Sequence, residues 1–193
     1  MAPPFVGLTG GIGAGKSEAL AALERLGAAT LSTDAVVHEL YGGDEVRAAV
    51  VARWGDDVAP GGTVDRAAVA RRAFADPDER AWLEGLLWPL VGRRIQEFRE
   101  ANAGAPALVV EVPLLFESGM DAAFDATIAV VADEALRAER AGARGHEWLA
   151  ERTSRQLPQE EKARRATHVV VNDGSLDDLH HRLSEILGTL TGR

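Results

Sequence analysis

The chain has 193 residues, a formal net charge of −9 at pH 7, 46% apolar residues and no cysteine. This length can bury a full core as one domain with subdomains, the lack of cysteine excludes disulfides and thiolate metal sites, and the acidic balance argues against a nucleic-acid partner, which needs a broad basic face. No apolar run approaches the ~18 residues that span a bilayer, and Met1-Ala2-Pro3-Pro4 lacks the basic region of a secretory signal, so a cytoplasmic protein with no membrane partner is expected.

In chain order, residues 5–9 read as a short buried strand and residues 17–26 as an amphipathic helix stopped by Gly27. Between them, Gly10-Gly11-Ile12-Gly13-Ala14-Gly15-Lys16-Ser17 fits the phosphate-binding pattern G-x-x-x-x-G-K-[ST]. Its glycines let the backbone curl around an anion with N–H groups inward, and the helix N-terminus adds positive potential at the same spot. Lys16 would reach the β- and γ-phosphates of a nucleotide and Ser17 a magnesium ion. The alternative is a glycine-rich turn with no ligand.

Four further apolar stretches, residues 28–31, 107–112, 126–131 and 168–171, read as strands buried on both faces. The strand-poor segment 44–104 is too long for one crossover. Helical spacing at Leu83, Leu86, Leu87, Leu90 and Val91, a kink at Pro89 and a turn at residues 59–62 make it a helical insertion. The last helix is expected over residues 176–190, with Ser175 as N-cap, Asp178 at the third helical position and apolar residues at 176, 179, 183, 186, 187 and 190. The predicted fold is α/β of the P-loop NTPase kind: a five-stranded parallel sheet flanked by helices, with a helical insertion. Its core would comprise residues 1–43 and 105–193.

In an open parallel sheet, ligands bind beyond the carboxyl ends of the strands. Asp34, after the second strand, could accept a proton from an acceptor hydroxyl or hold magnesium through water, or could simply cap the next helix. Glu111, at the end of the third strand, resembles the acid that completes a magnesium site in such folds. Arg137, Arg140 and Arg144 share one helix face at i, i+3 and i+7, with Arg152 and Arg155 following. That face could close over phosphate as a lid spanning about 135–160, or it could be solvated and paired with Glu134, Glu139 and Glu151. The chain's basic residues are almost all arginine, and Lys16 and Lys162 are its two lysines. His146, His168, His180 and His181 have no metal-ligand spacing.

Three segments together resemble the dephospho-CoA kinase family: Gly7 through Ser17, Val112-Pro113-Leu114-Leu115-Phe116-Glu117, and Glu160-Glu161-Lys162 through Asn172-Asp173-Gly174. Val64-Asp65-Arg66, Phe74-Ala75-Asp76, Trp88-Pro89-Leu90-Val91 and Phe124-Asp125 match in the same order along nearly the whole chain. The resemblance implies transfer of the γ-phosphate of ATP, with Mg2+, to the ribose 3′-hydroxyl of 3′-dephospho-CoA, by a protein expected to be a monomer. It implies that Asp34 is the catalytic carboxylate and that Lys16, Arg140 and Arg144 act on the transferred phosphate. It also implies that Gly11, Gly13, Ala14, Gly15, Lys16, Ser17, Glu18, Asn172 and Gly174 hold the nucleotide, Asn172 and Gly174 near its adenine, and that the 44–104 insertion holds the CoA moiety. Four positions depart from the family pattern: Ser32 for an aspartate, His38 for an arginine, Trp88 for a histidine and Glu18 for a threonine. Trp88 is expected in the core, with a stacking surface as the alternative.

Overall fold

The computed structural model describes residues 2–142 and 155–192. Strands β1 (Phe5–Gly10), β2 (Ala29–Ser32), β3 (Leu108–Glu111), β4 (Ala126–Val131) and β5 (His168–Val171) form one sheet. Their order is β2-β3-β1-β4-β5, and every neighbouring pair is parallel. The five predicted strands are therefore all present, with ends within a residue of expectation.

The sheet is apolar in runs because both faces are covered. Val6, Leu8, Val109, Ile128, Val130 and Val170 face α1 (Lys16–Arg25), through Ala19, Ala22 and Leu23, and α8 (Leu176–Thr191), through Leu179, Leu183 and Leu187. Gly27 (φ 95°) ends the first helix run in the left-handed conformation that only glycine adopts without strain. Ser175 caps α8 as expected: its Oγ accepts from the Asp178 N–H at 3.1 Å while the Asp178 carboxylate accepts from the Ser175 N–H at 2.9 Å. One expected contact fails. Leu176, the first residue of α8, is 61% exposed.

Contacts divide the chain into two compact units, one comprising residues up to Ser32 and from Arg99 onward, the other Thr33–Phe98. The second unit contains α2 (Thr33–Tyr41), α3 (Asp44–Trp54), α4 (Arg66–Ala75) and most of α5 (Pro77–Ala101). It has its own core around Val46, Val50, Val58, Val69, Leu83 and Leu87. Asp65 caps α4, its Oδ1 accepting from Ala67 and Ala68 N–H at 2.9 and 3.2 Å. The expected turn is a tight one at Pro60–Gly62, with Gly61 and Gly62 at φ 66° and 82°. α5 runs helically through Pro89 for 25 residues, so the proline removes one ladder hydrogen bond without ending the helix. The expectation that Trp88 is a core residue is overturned, since it is 55% exposed. α5 buries the stripe Leu83, Leu87, Leu90 and Val91, and residue 88, one step past Leu87, is turned away from that stripe by the helical period.

Candidate active site

The loop between β1 and α1 is built from glycines in conformations other residues avoid. Gly13 has φ 76° and Gly15 φ 95°, and Gly15 is the residue from which α1 starts, so no side chain caps the first-turn N–H groups. Those groups, with the helix dipole behind them, form the kind of nest that takes phosphate. Lys16 Nζ donates to Gly11 O at 3.1 Å, which folds the ammonium back along the loop. Ser17 and Glu18 are exposed in the first turn of α1, and Ala14 is enclosed beneath the loop.

Two side chains from elsewhere in the first unit brace the loop from outside. Asn172, at the end of β5 and 6% exposed, donates from Nδ2 to Ala14 O at 2.9 Å. A Cβ on Gly15 would collide with that amide. Arg137, in α6 (Glu134–Gly142), donates from Nε to Ile12 O at 3.0 Å. A Cβ on Gly11 would stand 2.8 Å from its Nη2, and one on Gly13 would meet its backbone. These glycines are thus needed for close packing of α6 on the loop as well as for backbone curvature. Arg140 donates from Nη1 to Asn172 O at 3.1 Å, and the Asp133 N–H, just before α6, donates to Asp173 Oδ1 at 2.7 Å. Arg137 and Arg140 therefore bond to the loop and to the residue after β5, and the solvated-face alternative does not describe them. Arg144, Arg152 and the middle of the predicted lid, residues 143–154, lie outside the described residues.

At the other side of β1, the carboxyl ends of β2 and β3 are tied together. Ser32 Oγ donates to Glu111 Oε2 at 2.7 Å, and Glu111 is 6% exposed. Where a second carboxylate beside Glu111 would repel it, the hydroxyl donates to it instead. The remaining predicted site residues sit as follows. Gly174 leaves room for the α8 cap, since a Cβ there would stand 2.6 Å from Asp178 Oδ2. In the second unit, Asp34 is exposed in the first turn of α2, where a negative charge suits the helix dipole. His38, also on α2, receives a hydrogen bond at Nδ1 from Arg66 Nη1 at 2.6 Å. A guanidinium only donates, so that ring nitrogen is unprotonated.

The family model described as dephospho-CoA kinase matches residues 4–178. The chain belongs to the dephospho-CoA kinase family. A dephospho-CoA kinase of Synechococcus sp. (strain CC9902) is 41% identical over 94% of both chains. The crystal structure of a Thermus thermophilus protein superposes with TM-score 0.83 at 35% identity, covering 98% of both chains. The dephospho-CoA kinase from Campylobacter jejuni shares the fold, with TM-score 0.69 at 21% identity over 97% of each chain. The five-stranded parallel sheet with its phosphate-binding loop is thus that of a P-loop kinase.

Within this dephospho-CoA kinase framework, sequence reasoning overlooked two residues. Arg137 was legible only as one of three arginines on a face, and its bond to Ile12 O depends on how α6 docks. Lys162, in α7 (Gln159–Arg165), is fully enclosed at 0% exposed. A signal for it existed: in a chain that uses arginine almost everywhere, a retained lysine points to a place for a compact ammonium where a planar fork does not fit.

The residues present suit a nucleotide with magnesium. The glycine-built nest takes phosphate, and the Ser17 hydroxyl stands at the first turn of the helix where a phosphate-bound cation would lie. Among the described residues no cluster of three or more His, Asp or Glu could cage a metal. Ser17 is the residue placed to hold such an ion together with nucleotide phosphates and water, as magnesium commonly is bound.

Proposed function

We propose that this chain transfers the γ-phosphate of ATP to the ribose 3′-hydroxyl of 3′-dephospho-CoA, giving coenzyme A and ADP, the last step of coenzyme A biosynthesis. The observation that carries the reading is a complete phosphate-binding loop, Gly10 to Ser17, braced by Asn172 and Arg137 in a chain whose residues 4–178 match this family.

Phosphoryl transfer asks little covalent chemistry of a protein, so positioning and charge neutralisation supply most of the acceleration. Gly11, Gly13, Ala14 and Gly15 would present backbone N–H groups to the phosphates, Lys16 would neutralise charge on the β- and γ-phosphates, and Glu18 would border the nucleotide. A magnesium ion at this site would supply further neutralisation of the phosphate charge. Ser17 would hold it, with Asp34 or Glu111 reaching it through water. Asp34 would orient the acceptor hydroxyl and take its proton as the new P–O bond forms. Arg140 and Arg144 would clamp the transferred phosphoryl group, and a lid over about 135–160 would exclude water that otherwise consumes ATP. Asn172 and Gly174 would border the adenine, and the 44–104 insertion would hold the CoA moiety. The enzyme would act as a cytoplasmic monomer.

The deciding experiment incubates the purified protein with ATP, magnesium and a panel of acceptors and follows acceptor-dependent ADP release. Dephospho-CoA is expected to stand far above nucleosides, nucleotides and gluconate. Preference for one of those would move the chain to another acceptor class. ADP release that ignores every acceptor would make it an ATPase or switch.

A further inference from the structure

Thr9 alternates with Leu8 along β1, so its side chain projects from the sheet face opposite α1 and α8. There it meets the enclosed ammonium of Lys162. Nζ lies 2.6 Å from Pro113 O, 3.4 Å from Thr9 Oγ1 and 2.9 Å from Glu117 Oε1. An ammonium has three protons and no lone pair, and three acceptors meet this one. The Thr9 hydroxyl donates onward to Pro113 O at 3.4 Å. Glu117 Oε1 also accepts from the Leu157 N–H at 2.7 Å, while its Oε2 is buried with no hydrogen-bond partner among the described residues.

Burial pulls the Lys162 pKa below its ordinary value, and the hydrogen bond and charge of Glu117 oppose that pull. A buried ion pair adds little net stability, because desolvation takes back most of what attraction gives. Its presence is better explained by what it positions. Thr9 is the residue before Gly10, where the phosphate-binding loop opens, and Pro113 and Glu117 belong to the segment that follows β3. Both lysines of the chain thus bond to the two ends of one short stretch: Lys16 to Gly11 O and Lys162 to Thr9. The loop motif requires the first and says nothing of the second.

We infer that Lys162 is a positioning residue for nucleotide binding: its ammonium locks Thr9 to Pro113 behind the opening of the phosphate loop, with Glu117 as its counter-ion. The inference rests on the reading of the loop as an ATP site. It predicts that nucleotide affinity depends on a side chain that never touches the nucleotide.

The test measures MgATP affinity calorimetrically without acceptor on the full chain, alongside thermal melting, for wild type, K162M, the double variant K162M/E117Q, and T9V. K162M keeps the volume and removes the ammonium, leaving Glu117 uncompensated. Its affinity is expected to fall about tenfold or more, the worth of a hydrogen bond to a charged group. The double variant removes both charges and should recover melting temperature without recovering affinity, a split that a merely structural pair would not give. T9V, isosteric and with Lys162 intact, should lose about threefold. A folded K162M or double variant that binds MgATP within about twofold of wild type overturns the inference. Where K162M does not fold, T9V decides, and wild-type affinity there overturns it equally. Absence of MgATP binding by the wild type would instead defeat the nucleotide reading itself.

Discussion

Lys16 Nζ donates to Gly11 O, which aims its ammonium along the loop. Lys16→Ala is expected to lower turnover by about a thousandfold or more while thermal melting stays at the wild-type value. Near-normal turnover by the folded variant would remove the loop from catalysis. Asp34 separates charge from helix chemistry in the same way. Asp34→Asn keeps a polar side chain in the first turn of α2 and should cost well under about 1 kcal/mol of stability. As the catalytic carboxylate it should nevertheless cost at least about a hundredfold in turnover, with ATP affinity little changed. Steady-state kinetics and melting on one sample decide between them. Lys162 yields a pH prediction. Its folded pKa lies below the ordinary 10.5, so between those two values the unfolded chain binds more protons and this group makes stability rise with pH. MgATP affinity should fall over the same alkaline window, as the ammonium loses its charge. Glu117→Gln removes the counter-ion and should move that fall to lower pH, which isolates Lys162 from other alkaline titrations.

At the scale of elements, α6 is the piece whose role the sequence left open. Its arginines stand at helical spacing, and spacing cannot say which way the face points. Docked against the loop, Arg137 reaches Ile12 O and Arg140 reaches Asn172 O. An exposed ion pair contributes at most about 1 kcal/mol and no chemistry, so Arg140→Ala tests the clamp cleanly. If Arg140 engages charge as it develops on the transferred phosphoryl, kcat and kcat/KM should fall together by about a hundredfold or more while the free protein melts within a few degrees of wild type. A rise confined to KM would make it a ground-state contact. The α8 cap shows the opposite case, a device read correctly from Ser175 and Asp178 alone, because a capping box is closed within four residues. The Ser175 hydrogen bonds hold the Asp178 carboxyl below its ordinary 3.8. That contribution is present above 3.8 and is lost as pH falls through the lowered folded value.

For the whole molecule, the sheet of the first unit depends on two helices closing one face. Leu183 is completely buried between α8 and the strands. Leu183→Ala should cost about 2–5 kcal/mol, read as a lowered melting temperature, with turnover per folded molecule changed far less than in Lys16→Ala. The second unit has a separate core and should keep its own stability in that variant. Most of this architecture was legible in the chain. Parallel strands buried on both faces leave apolar runs, and those runs located all five strands. Trp88 was misread because an apolar residue one position off a helical stripe looks in sequence like a residue on it, whereas Leu176 has the period of the stripe but stands at the first helical position of α8.

By itself the sequence determined the phosphate loop, the five strands, the α8 cap and the family resemblance, all of which depend on residues adjacent in the chain or on a short periodicity. The tertiary structure alone decided that Asn172 and Arg137 brace the loop, that Ser32 donates to Glu111, and that Lys162 is enclosed beneath Thr9. Those partners are separated by 79 to 158 residues. Their encounter follows from strand order and helix docking, which bring distant carboxyl ends to one edge of the sheet and leave no local pattern in the chain to announce it.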